Sequence, residues 1–191
     1  AHSEAPSAVS TLFSGALLNC AFLGILRFYQ ICIGAGIEGF AGKLLLIFGV
    51  LSVFFAAAFL VRQFEYKRML AYSSIEHMGL LALAVGLASP LGAFYAMFHM
   101  INHSLAKRLL FLVSGNFLAA FRTKRSYEIT GSGSVIPVST GLWILGFFSI
   151  CGLPPFSLFV SKFGILTALF EHGYVVGTVV MLLLIVIVIA M

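Results

Sequence analysis

The stretch LGAFYAMFHMINHSLAKRLLFLVSGNFLAA, Leu91–Ala120, decides how the chain folds. It is thirty residues long, almost wholly apolar, and it nevertheless carries His99, His103, Lys107 and Arg108. A bilayer core about 30 Å thick needs about 20 apolar residues of helix, so this stretch can cross one. Ionisable groups at mid-membrane cost about 2.5–3.5 kcal/mol each on insertion scales, and they persist where something uses or neutralises them. His99, His103 and Lys107 follow each other at steps of four. Each therefore turns only about 40° from the last, and together they form one stripe rising about 12 Å. Tyr95 lies at one end of that stripe and Ser114 beyond the other. Histidine titrates near pH 6.5, so a file of such groups bridged by water is what a proton relay needs.

The same apolar grammar extends in both directions. Ala8–Tyr29, Gly42–Val61 and Leu70–Ala88 precede the stretch; Ile136–Gly152, Phe156–Phe170 and Tyr174–Met191 follow it. Strands would leave unpaired backbone edges in lipid, and no segment alternates as a closed barrel requires, so all are read as helices. The expected fold is all-α: a polytopic transmembrane bundle of six to seven hydrophobic segments. Residues 1–191 read as one transmembrane domain, the second half of a longer subunit. The start at Ala1-His2-Ser3-Glu4-Ala5-Pro6, without Met and without a basic-then-apolar leader, fits that expectation.

Composition agrees. The 191 residues are 61% hydrophobic and 9% charged, with mean hydropathy +1.12, whereas a soluble domain carries about 25% charge. That excludes a soluble domain, a disordered tail and a disulfide scaffold. The +5 net charge would suggest nucleic acid on a soluble chain; here the cations lie mostly between apolar stretches and read as membrane-flanking anchors. With the N-terminus on one side and helices alternating, that side holds Arg62, Lys67, Arg68, Arg122, Lys124 and Arg125, against Arg27 and Lys43 opposite. The positive-inside rule places the richer side in the cytoplasm. Cys20, Cys32 and Cys151 form no CxxC pair. Arg122–Val135, with Gly131-Ser132-Gly133-Ser134, lacks the strand, helix and lysine of a phosphate loop and reads as an exposed connection.

Pro154-Pro155 must break whatever helix reaches it, because proline lacks an N–H and clashes with the preceding turn. Phe156–Phe170 is about 22 Å long, short for a span, so the two flanking segments are read as halves of one discontinuous helix. Lys162 follows the break by seven residues and is either a snorkelling lysine or a switching base where water enters. Glu76-His77 lies inside the third segment, behind Tyr72 and Ser73; Glu76 is expected to pair with a cation of a neighbouring helix or to serve a proton path. Arg108 stays charged at every relevant pH, so it sets local potential or pairs with Glu76. Two competing chemistries use the same residues. His99 and His103 have zinc-like spacing, but Lys107 repels a cation and no carboxylate lies close in sequence. His77 and His99, on different helices, could hold a b-type haem between them.

Four stretches carry a resemblance: HSEAPSAVS from His2, KRMLAYSSIEHMG from Lys67, HMINHSLAK from His99, and GLPPF from Gly152 continuing to Ser161-Lys162. In order and spacing they resemble the antiporter-type membrane subunits of respiratory complex I and the membrane-bound nickel–iron hydrogenases. The HSEAP and YSSIEHMG wording is nearest to the hydrogenase, formate hydrogenlyase-like branch. The resemblance implies half-channels built from two inverted repeats, each with a broken helix. It also implies that His99, His103 and Lys107 form the central relay and that Lys162 is the lysine of the second broken helix, on the outward-leading half. It further implies partner membrane subunits and a peripheral redox arm bearing iron–sulfur clusters and nickel–iron or flavin centres, with no cofactor, redox site or hydrolytic site in this chain. The expected location is a bacterial or archaeal cytoplasmic membrane, or the mitochondrial inner membrane. Ser14 departs from the family pattern, standing where many relatives carry histidine, and Arg108 stands where relatives carry a small or neutral residue. A sodium/proton antiporter of the same superfamily, a haem protein and a passive membrane scaffold remain the alternatives.

Overall fold

A computed structural model describes residues 5–191. Residues His2, Ser3 and Glu4 of the HSEAP stretch lie outside the described residues. The described residues form seven apolar helices: α1 Ser7–Gly34, α2 Glu38–Leu60, α3 Tyr66–Gly86, α4 Pro90–Phe121, α5 Pro137–Cys151, α6 Ser157–His172 and α7 Tyr174–Ala190. The first four are long and apolar enough to cross a membrane.

α4 is the mast of the bundle. Its start is fixed by Ser89, whose Oγ accepts the Gly92 N–H at 3.0 Å, and by Pro90 in the first turn, where no N–H is needed. α5 and α6 run antiparallel along it, one after the other. Asn116 donates to Ser139 Oγ at 2.9 Å, Phe117 meets Trp143 at 5.4 Å between ring centroids, and Gly146 packs on Leu110. Beyond the break, Ser157 donates to Asn102 Oδ1 at 2.9 Å, and Gly164 lies against the Tyr95 ring. Residues 116 to 95 of α4 are thus matched by 139 to 164 of the partner, across the break. The two short helices form one discontinuous spanning element, as the Pro-Pro pair predicts. α5 ends in a Schellman turn, with Leu153 N–H bonded to Phe148 O at 3.1 Å and Gly152 at φ +78°.

α2 and α3 pack through glycines. A Cβ on Gly42 would lie 2.9 Å from Gly86 O, and one on Gly79 would lie 2.9 Å from Gly49 O. The glycines recur seven apart on each helix, so one face of each approaches the other backbone directly, the membrane form of close packing. α1 crosses α4 with Ser7 against Gly115 and Gly15 against Arg108. A π-helical turn at Phe13–Leu17 widens α1 where it meets α4.

The connections after α2 and α4 meet on one side. Ser126 N–H bonds Phe64 O at 2.9 Å, and Tyr66 N–H bonds Lys124 O at 3.2 Å. This brings the 62–68 and 122–125 cations to a common face, as the charge count requires. Two details differ from the sequence reading. α3 begins at Tyr66, not Leu70, so Lys67 lies in its first turn, on the same side as the other cations but buried at 1% exposure. The 122–135 connection contains a 3₁₀ turn at Ser126–Glu128 and a single helical turn at Ser132–Val135.

Candidate functional site: a buried file of histidines and lysines

α3, α4 and α6 meet where the structure buries most of the charge. Glu76, His77, His99, His103 and Lys107 are all fully buried, and Lys162 is 7% exposed. Glu76 and His77 come from α3, the stripe from α4, and Ser161 and Lys162 from α6.

Lys162 Nζ donates to Glu76 Oε1 at 2.7 Å and to the last carbonyls of α5, Ile150 O at 3.2 Å and Cys151 O at 3.3 Å. The ammonium therefore caps the negative end of one half-helix while pairing with a carboxylate. Gly152 makes room for it, since a Cβ there would lie 2.8 Å from Lys162 Cδ. At the other end of the site, Lys107 Nζ donates to Leu70 O and to Ser73 Oγ, both at 2.5 Å.

The three imidazoles pack on one another. His77 Nδ1 and His99 Nε2 share a hydrogen bond at 2.8 Å, and His99 Nδ1 and Ser161 Oγ share one at 2.7 Å. His103 packs on His77 with centroids 4.7 Å apart and lies 6.5 Å from His99, ring parallel to ring. His77 Nε2, both nitrogens of His103 and Glu76 Oε2 have no partner among the described residues. On α3, Ser73 (held by Lys107), Glu76 (held by Lys162) and His77 (bonded to His99) fall within about one turn, so both lysines and the imidazoles converge there, with every member buried.

Each residue named from the sequence has a place. His99, His103 and Lys107 share the stripe. Lys162 joins the cluster through Glu76. The pairing of Glu76 differs from the sequence expectation for Arg108: the carboxylate is taken by Lys162, and Arg108 instead lies over Gly15, its guanidinium 3.4 Å from Gly15 O. Ser14, on the π-helical turn, meets Ser74 Oγ at 3.1 Å, away from the imidazoles. Tyr95 packs against Gly164 and Ser114 bonds the backbone at Phe111 O. Sequence reading gave His77 an auxiliary place; it is the central ring, in contact with both others. It also missed Ser161, which no spacing singles out because it adjoins Lys162 yet points to a different helix. Ser73, one turn before Glu76, was visible only as a neighbour.

The haem alternative does not fit these residues. Iron held between His77 and His99 would separate their nitrogens by roughly 4 Å, twice a metal–imidazole distance of about 2.0 Å. They hydrogen-bond directly at 2.8 Å. Among the described residues, no cluster of three His, Cys, Asp or Glu side chains has metal-holding geometry.

Fold and site together define a polytopic helical membrane protein with a buried, titratable polar core. Residues 1–188 match the family model described as NADH:quinone oxidoreductase/Mrp antiporter, transmembrane, and the chain belongs to that family. It is 38% identical to a hydrogenase-4 component F homolog of Methylacidiphilum infernorum over 91% of this chain and 36% of that one. It is 34% identical to NAD(P)H-quinone oxidoreductase chain 4 of Prochlorococcus marinus over 87% of this chain and 31% of that one. It superposes with TM-score 0.88 and 27% identity on a chain of an archaeal membrane-bound sulfane sulfur reductase, covering 99% of this chain and 39% of that one. The chain spans about a third of the length of the relatives it matches. Membership in this transmembrane family makes it an integral membrane protein of the antiporter-like type.

Proposed function

We propose that residues 1–191 form one transmembrane unit of a proton-translocating membrane subunit, within a complex I-like hydrogenase or NADH/quinone oxidoreductase. The observation that carries this reading is the buried convergence of Lys107, three imidazoles, Ser161 and the Lys162–Glu76 pair where α3, α4 and α6 meet. Proton transfer needs groups within hydrogen-bond reach, directly or through one water. Two links are direct, His77–His99 at 2.8 Å and His99–Ser161 at 2.7 Å. The steps from Lys107 to the imidazoles and from the imidazoles to the Lys162–Glu76 pair need bridging water, which the unpartnered nitrogens of His77 and His103 and Glu76 Oε2 are placed to bind.

The mechanism is electrostatic. Like charges in a low-dielectric site disfavour each other, so loading Lys107 opposes a charged Lys162. Glu76 Oε1 and the Ile150 and Cys151 carbonyls face the Lys162 Nζ. A charge change arriving from redox chemistry in partner subunits shifts that balance: Lys162 releases outward and is reloaded through the histidines from Lys107. The hydrogenase-4 and NAD(P)H-quinone oxidoreductase names of the relatives fit membership in a multisubunit complex whose redox centres lie in partner subunits. Sodium/proton exchange is the second reading, favoured by the antiporter members of the family.

The test uses the assembled complex in proteoliposomes, with redox-driven proton and sodium movement followed separately. Lys162→Ala should abolish proton translocation through this subunit. Undiminished translocation contradicts the proposal, and sodium movement lost in its place selects the second reading.

A further inference from the structure

Arg108 is the one cation of the α4 stretch that the buried file does not absorb. It lies on the exposed face of α4, in line with Ile101, Leu105 and Leu112, which are 58%, 60% and 55% exposed. These positions repeat at helical spacing, so the guanidinium stands in an apolar stripe facing away from the bundle. Arg108 is two to three residues past the middle of Pro90–Phe121, about 4 Å along the axis. The nearer end lies toward Gly115, which packs on Ser7 at the start of α1, seven residues or about 10 Å along the axis, but the guanidinium does not run that way: it reaches Gly15 O, which Ser104 one turn back also reaches. The side chain instead folds back over Gly15, where a Cβ would lie 2.6 Å from its Cγ.

Its only described hydrogen bond is the 3.4 Å contact to Gly15 O. That oxygen is already used: Ser104 Oγ donates to it at 2.5 Å and Asn19 Nδ2 at 3.2 Å. A guanidinium has five N–H donors in a planar fork. Asn19 Oδ1, on the same carbonyl's surround, is buried and has no donor among the described residues. No carboxylate among the described residues answers Arg108. Glu76 is held by Lys162, and Glu38, Glu65, Glu128 and Glu171 sit at helix ends or in connections. A second copy of these residues would offer no mid-membrane acid either. Charged residues within spanning segments face protein or water and pair.

We infer that the α1–α4 face around Arg108 is an interface for another transmembrane helix, from outside residues 1–191, which presents an Asp or Glu carboxylate to the guanidinium at mid-membrane depth. The fork geometry fits a carboxylate in bidentate fashion. Leu12, Leu105 and Leu112 supply the apolar contact around it. This inference does not depend on the proton path and stands or falls separately.

The experiment is done in native membranes on the full assembly. A photo-crosslinking benzoylphenylalanine replaces Leu105 or Leu112, leaving Arg108 intact, and the product is sequenced by mass spectrometry. The expected partner is a transmembrane peptide containing Asp or Glu. Arg108→Gln should lower the yield of assembled complex roughly tenfold, as breaking a desolvated pair does, while Arg108→Lys keeps part of it. Arg108→Glu combined with the partner acid→Arg should restore assembly. Crosslinks to lipid alone, to a second copy of this chain, or to a peptide without an acid overturn the inference. So does wild-type assembly in Arg108→Gln and Arg108→Glu.

Discussion

Ser161 shows how much chemistry one hydroxyl controls. It donates to Leu158 O at 3.0 Å and meets His99 Nδ1 at 2.7 Å. With its proton committed to the backbone, the serine oxygen accepts from Nδ1–H and leaves Nε2 to accept from His77. One hydroxyl thereby sets the tautomers of two rings. Ser161→Ala removes that acceptor and leaves a buried N–H unpaired, which costs about 1–3 kcal/mol. The expected result is a 10-fold or greater drop in redox-driven proton translocation, with Ser161→Thr close to wild type, measured in proteoliposomes at fixed electron transfer. Equal rates in all three would remove Ser161 from the path. The stripe of His99, His103 and Lys107 was legible because a helix repeats every 3.6 residues. Ser161 and the centrality of His77 were not, because which helix a neighbouring residue faces depends on how three helices pack.

At the scale of elements, two glycine arrangements hold the site in place. Gly79 touches the backbone at Gly49, so Gly79→Val forces α2 from α3 and should destabilise the bundle by ~1–3 kcal/mol or more, read as a lower melting temperature in detergent. Gly152→Ala acts differently. It places a side chain at φ +78° and against Lys162, so translocation should fall more than thermal stability does. A Gly152→Ala protein that melts early but pumps normally would show the turn to be structural only. The broken helix was legible from Pro154-Pro155 and the short second half. That its halves are clasped separately to α4, through Asn116–Ser139 and Asn102–Ser157, was not, because each Asn–Ser pair is far apart in sequence.

For the whole molecule, the legible features were those set by the bilayer: seven apolar segments, their direction of travel and the side on which cations collect. The hydrogen bonds between the 64–66 and 124–126 segments bring those cations together. Thiol-reactive, membrane-impermeant reagents should therefore label Arg62→Cys and Arg125→Cys from the cytoplasmic side and Lys43→Cys from the opposite side. Labelling of Arg62→Cys and Arg125→Cys from different sides would contradict the topology. What composition hid was the destination of individual charges. Lys67 counts as a flanking cation in any tally, yet in the first turn of α3 it is buried by its neighbours; Arg108 belongs to an apolar run, yet its face is turned outward.

The central claim is that hydrogen ions cross by way of the buried imidazoles, and His103 is its most exacting test because neither of its ring nitrogens has a partner among the described residues. The measurement is the number of protons moved per electron by the assembled complex in sealed vesicles, wild type against His103→Ala, at matched redox turnover. The account predicts a lower ratio in the variant, short by the share this subunit carries. An unchanged ratio would contradict it.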